Sequence, residues 1–186
     1  MNFRSILELD ARLSEQMRVA EKPGALRTMA AFLAQTGDSW FWWAALMIGW
    51  LFSNSFWRKW EVVEFVGILV LAALVMSIKF SVRRKRPAGE WGGIYRNTDP
   101  HSFPSGHAAR SFLIAVLASG LAPAWFALIL WIWAPLVALA RVAMGVHYVS
   151  DVVAGALVGV VFALILLQVH EPFFMWVTSL IGFPMW

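Results

Sequence analysis

Apolar runs of about membrane-spanning length, separated by short polar turns, limit what this chain can fold into more than any other feature. They recur along most of its 186 residues, of which 60% are apolar. Inside hydrocarbon every backbone N–H and C=O must find a partner within the protein, so a spanning segment is a helix or part of a closed barrel. The runs are continuous and do not alternate, which argues against a barrel and predicts an all-α, polytopic transmembrane helical bundle. The mean hydropathy of +0.68 agrees. Short connections leave no room for a separate soluble domain, so residues 1–186 are expected to form one integral-membrane domain.

About five to six spans are expected, preceded by an interfacial helix. Residues 3–21 place Ile6, Leu7, Leu9, Leu13 and Met17 on one side and Arg4, Glu8, Asp10, Arg12, Glu15 and Arg18 on the wet side, which suits a helix lying on the bilayer or a solvated terminal helix. Pro23-Gly24 ends it, and residues 25–34 are too short to span alone, so 1–37 is an interfacial or re-entrant region. Gln35-Thr-Gly-Asp-Ser39 reads as an N-cap signal for a first span over about 40–52, with room to extend backwards. The second covers about 62–78, with Glu61 and Glu64 favouring its N-terminus. The third runs from Pro104 to about Ser119, the fourth from Ala124 to Ala140 with a kink at Pro135, and the fifth from about Tyr148 to Val169. His170-Glu171-Pro172 ends the 38–170 core and leaves 171–186 as an interfacial tail. Gly155 and Gly159 have the spacing of close helix packing inside a bundle.

Composition narrows the chemistry. There is no cysteine, so disulfides and thiolate catalysis are excluded. The basic residues behind a pI near 10.0 cluster beside membrane segments, which favours lipid headgroups and anionic substrates over nucleic acid. Arg83, Arg84 and Lys85 read as headgroup or topology anchors. The N-terminus lacks the apolar core and cleavage site of a secretory signal and is expected to stay on the mature protein. Residues 88–103 are the one long connection, a natural lid or substrate rim in which Glu90 and Asp99 are expected to be solvated. Trp91 and Tyr95 there suit a lipid entry path or an aromatic belt equally.

If five spans alternate, the end of the second, the start of the third, the end of the fourth and the start of the fifth meet at one membrane face. Lys79, Arg86, Ser105, His107, Arg141, His147 and Asp151 then converge. Three cations, two imidazoles, a hydroxyl and a carboxylate suit a multiply charged anion, most simply phosphate. Pro104-Ser-Gly-His107 opens a helix whose free N–H groups form a small oxyanion cradle, and Gly106 lets an oxygen approach the backbone. Arg86 and Arg141 offer bidentate forks and Lys79 a point charge. His147 and Asp151, four apart, are expected on one helical face, so His147 is the better nucleophile and His107 the acid for the departing alkoxide. So many cations repel a divalent ion; no metal or other cofactor is expected.

These residues, Lys79 with Arg86-Pro87, then Pro104-Ser105-Gly106-His107, then Arg141 with His147 and Asp151, resemble the type 2 phosphatidic acid phosphatase superfamily in order and spacing. That group also includes bacterial acid phosphatases and vanadium haloperoxidases. The resemblance implies a phosphohistidine mechanism with His147 as nucleophile, Asp151 orienting it and His107 as general acid. It also implies that Lys79, Arg86, Ser105, Gly106 and Arg141 bind phosphate. One departure is Ala140, where the family's third motif usually has Ser.

The reading is an integral-membrane phosphatase of an amphiphilic phosphate or diphosphate, such as phosphatidic acid, phosphatidylglycerol phosphate, an isoprenyl diphosphate or a lipid A phosphate. A lipid phosphotransferase using the same site, or an anion or lipid transporter, are the alternatives. A multi-pass location in the cell's inner membrane is expected. The positive-inside rule puts the active-site face on the cytoplasmic side for five spans, and a six-span arrangement with a re-entrant 23–37 reverses it.

Overall fold

The computed structural model describes residues 3–89 and 93–182. Among them eight helices form: α1 (Phe3–Gln16), α2 (Ala25–Thr36), α3 (Ser39–Phe52), α4 (Ser55–Val82), α5 (Gly93–Thr98), α6 (Gly106–Leu121), α7 (Ala124–Ala143) and α8 (Val149–Ile181). The described residues hold no β-strand beyond an isolated bridge between Lys85 and His101. The chain is a helical membrane protein. By length and composition α4, α7 and α8 can cross a bilayer, while α3 and α6 are shorter apolar helices.

The bundle is built around α6, which packs against α8, α7 and α4. Ala108, Ala109, Leu113, Ile114, Ala115, Leu117 and Ala118 are fully enclosed by those neighbours. Lipid takes the opposite role: Leu69, Val70, Leu128, Ile132, Leu157, Val161 and Leu164 point outward from α4, α7 and α8. Exposed aliphatic side chains need no explanation where the solvent is hydrocarbon.

Gly155 and Gly159 make the closest helix contact. A Cβ on Gly155 would lie 2.4 Å from the Ser105 carbonyl oxygen, and one on Gly159 would lie 2.0 Å from that of Ala109. No flexible side chain is there to yield. Gly159→Leu therefore drives α8 off α6 and costs about 3 kcal/mol or more, read as a large fall in the thermal midpoint in detergent.

Several boundaries differ from expectation. The α8 helix continues through Pro172 to Ile181, so His170-Glu171-Pro172 does not end it and residues 171–181 are helix. Glu171 is instead held by Lys59 of α4. Glu61 and Glu64 lie well inside α4 and are buried, so neither serves its N-terminus; Asn54 caps that end through the Trp57 N–H. Glu61 accepts from the Ser53 hydroxyl at 2.7 Å. The predicted 88–103 loop contains α5. Glu90, Trp91 and the Tyr95 side chain lie outside the described residues.

The N-terminal region folds onto the bundle. Ala30 and Ala34 of α2 pack with Ala140 and Met144 at the end of α7. The α1 helix crosses the start of α8, and there Asp10 departs from expectation: it is 8% exposed and not on the wet side. Asp10 Oδ1 accepts from the Ser150 N–H at 2.9 Å and the Ser14 hydroxyl oxygen accepts from the Val149 N–H at 3.0 Å. The first N–H groups of α8 have no partner within their own helix, so an element far away in sequence caps them. Ile6, Leu7, Leu9 and Leu13 remain exposed along α1, as does Met17 just after it.

Candidate active site

One end of the bundle gathers the start of α3, the end of α4, the start of α6, the end of α7 and the turn into α8 around a cavity of about 220 Å³. Lys79, Arg86, Gly106, His107, Arg141 and His147 line it together. Ser105 and Asp151 lie directly behind this lining. The Ser105 N–H donates to the Asp151 carbonyl at 2.9 Å, and its hydroxyl oxygen faces the Ala108 N–H at 3.4 Å as the cap of α6. Ile68, Leu71, Ala72, Val75 and Met76 of α4 form an apolar wall beside the cations.

His147 sits in the turn between α7 and α8 and not on a helix shared with Asp151, because α8 begins at Val149 with Tyr148 as its cap. The two side chains still face each other: Nδ1 is 3.5 Å from Asp151 Oδ2, long for a hydrogen bond. Catalytic contacts often tighten only with substrate in place. On the other side of the ring, Nε2 faces Arg86 Nη1 at 3.1 Å. Burial, opposed by Asp151 and reinforced by Arg86 and Arg141, pushes the imidazole from 6.5 down to about 3. The ring is therefore neutral at any pH above that value, and its Nε2 lone pair accepts from Arg86. Burial likewise lowers the Arg86 guanidinium, with Asp99 opposing it.

Asp151 is held from several directions. Its Oδ2 accepts from the Tyr148 N–H at 2.9 Å and its Oδ1 from Arg84 Nη1 at 2.7 Å. Arg84 also donates to Asp10 at 2.6 Å and to the Ser150 hydroxyl at 2.6 Å, and it stacks on the Tyr148 ring. Arg84 is thus a structural partner of the His147–Asp151 pair and no headgroup anchor, whereas Arg83 is exposed.

Asp99 is also placed differently from expectation. Its side chain is 27% exposed but paired: the carboxylate bridges Lys79 and Arg86 and the carbonyl accepts from Arg86 Nε at 2.7 Å. Arg86 Nη1 is further fixed by the Val146 carbonyl at 2.9 Å, and Lys79 by that of His101 at 3.0 Å. The side chains of Lys79 and Arg86 are each 3% exposed, so a nearby carboxylate offsets much of the cost of burying them. Asp38 and Arg110 also line the cavity, and they and Asp99 escape a sequence reading. Arg110 left a signal, a lone cation within the apolar third run; Asp38 left only that of a helix cap and Asp99 none, because such residues acquire distant partners only through the fold.

The chain as a whole is similar to known proteins. The model of the PAP2 superfamily matches residues 61–175. The chain belongs to the PAP2 superfamily. A probable lipid phosphate phosphatase beta of Arabidopsis thaliana is 31% identical to this PAP2 protein, over 88% of this chain and 89% of the relative. The decaprenylphosphoryl-5-phosphoribose phosphatase of Mycobacterium tuberculosis is 34% identical over 82% and 84%. The crystal structure of Aquifex aeolicus LpxE superposes with a TM-score of 0.70 at 27% identity, over 86% of this chain and 95% of that one. The PAP2-type phosphatidylglycerolphosphate phosphatase of Bacillus subtilis shares the fold, with a TM-score of 0.72 at 22% identity over 90% and 87%. The PAP2 match leaves out residues 1–60, the part that supplies Asp10 and Asp38.

Proposed function

We propose that this PAP2 protein hydrolyses the terminal phosphate of an amphiphilic lipid phosphate or diphosphate through a phosphohistidine at His147. The observation that carries the reading is the single cavity in which a neutral imidazole, three buried cations and an apolar helix face lie side by side. A phosphate group takes the cations while the lipid chain lies along the α4 wall, which leads to the exposed Met76 and the surrounding hydrocarbon. Phosphatidic acid, phosphatidylglycerol phosphate, isoprenyl diphosphates, phosphorylated prenyl sugars and lipid A phosphates all share this chemistry. The relatives' names fall in the same class.

His147 Nε2 attacks phosphorus as the bond from phosphorus to the lipid oxygen breaks, and His107 gives its proton to the departing alkoxide. Arg86, Arg141 and Lys79 balance the charge on the equatorial oxygens, with the α6 N-terminus at Gly106 adding backbone donors. Asp99 competes with the incoming phosphate for Lys79 and Arg86. Water then attacks the phosphohistidine, His107 takes its proton, the phosphorus–nitrogen bond breaks and inorganic phosphate leaves. Asp151, fixed by Arg84 and the Tyr148 N–H, holds the nucleophilic ring from behind.

Purified protein in detergent is expected to release inorganic phosphate from a panel of lipid phosphates with a chelator present. Transfer of label to a second lipid, with no free phosphate, would instead identify a phosphotransferase; no turnover on any lipid phosphate would refute the proposal. The membrane is taken to be the cell's inner membrane.

A further inference from the structure

The break between α2 and α3 falls at Gly37-Asp38-Ser39, beside the cavity. A residue such as Asp38 at the start of a helix normally turns its carboxylate back onto the helix's first N–H groups. Here Asp38 accepts no side-chain cap bond. Its Oδ1 instead lies 2.7 Å from His107 Nε2, and both side chains are largely buried.

The surroundings hold Asp38 in that position. Arg110, one turn along α6 from His107, donates through Nε to the Gly37 carbonyl at 2.8 Å, and its guanidinium also bonds the Ser39 hydroxyl. The residues on either side of Asp38 are therefore tied to the helix that carries His107. Gly37 has no room for a side chain, because a Cβ would come 2.7 Å from Val137 and 3.1 Å from the His107 ring. An intramembrane helix forgoing its own cap, and a buried arginine spent on the flanking residues, have one common result: a carboxylate delivered to the second imidazole.

We propose that Asp38 is the positioning residue of His107. The site then holds two carboxylate–imidazole pairs, Asp151 with His147 for attack and Asp38 with His107 for proton delivery. Lys79, Arg110 and Arg141 line the same cavity as His107, and an uncompensated imidazolium among them would be repelled. The Asp38 carboxylate supplies the balancing charge and fixes the ring's orientation. The proton passes from His107 to the alkoxide oxygen, and Asp38 stays ionised throughout.

The inference rests on His107 acting as the acid, and the test separates the two claims. Turnover is measured on an alkyl phosphate, a poor leaving group, and on a nitrophenyl phosphate, a good one, both carrying the same lipid chain. General acids contribute about 10²- to 10⁴-fold, so His107→Ala loses that much on the alkyl ester and little on the aryl one. Asp38→Ala gives the same pattern at about 10- to 100-fold, mostly in kcat. Asp38→Glu recovers part of the loss, and the Asp38→Ala/His107→Ala double variant is no worse than His107→Ala alone. Should Asp38→Ala fail to fold, Asp38→Asn, which keeps the shape without the charge, carries the same comparison. Equal losses on both esters for Asp38 variants, or effects that add to those of His107→Ala, overturn the role of Asp38. Leaving-group independence of His107→Ala itself overturns the acid assignment.

Discussion

His147→Ala abolishes phosphate release, with a loss on the order of 10⁴-fold or more, while the protein stays folded. Among the described residues, no other group lining the cavity is placed to replace it. Lys79 is held by Asp99, and the guanidinium of Arg86 bonds Asp99, Val146 and His147 itself. His107 is committed to Asp38. The proposed nucleophile is also set apart electrically, since burial among guanidinium groups keeps the His147 ring neutral down to about pH 3. The measurement is phosphate release by purified His147→Ala in detergent, with a thermal melt matching the parent protein's as the control. Retained activity would remove the phosphohistidine.

Arg141→Ala produces the next largest loss, on the order of 10²- to 10³-fold in kcat, the scale for removing one preorganised charge at a developing oxyanion. Arg141 is fully buried at the end of α7 and lines the cavity with both histidines. Arg141→Lys restores little, because an ammonium offers one charge where the guanidinium offers a planar fork. Steady-state kinetics on one lipid phosphate test this: a change confined to KM would show uniform binding and not stabilisation of the transition state.

The bundle was legible in the sequence because hydrocarbon imposes a simple rule: an uninterrupted apolar run crosses as a helix. Convergence of Lys79, Arg86, His107, Arg141 and His147 also followed, since alternating spans carry their ends to the same face and polar residues at those ends stand out against the runs. The packing of Gly155 and Gly159 was visible for the same reason. What the sequence hid depends on long-range contact. Asp99 looks like an ordinary polar loop residue until two buried cations fold against it, and Asp10 looks like the wet side of an amphipathic helix until the start of α8 needs acceptors. Asp38 reads as a cap, its commonest role, and only the placement of α6 redirects it. Pro172 shows the converse: a local breaker signal that the packed helix overrides.

A phosphoryl group carried on His147 is trapped by rapid quenching of the enzyme with a ³²P-labelled lipid phosphate. Label that survives alkali, is lost in mild acid and maps to His147 is the predicted result. Phosphate release with no labelled protein at any time point, or label mapped to another residue, would contradict the account.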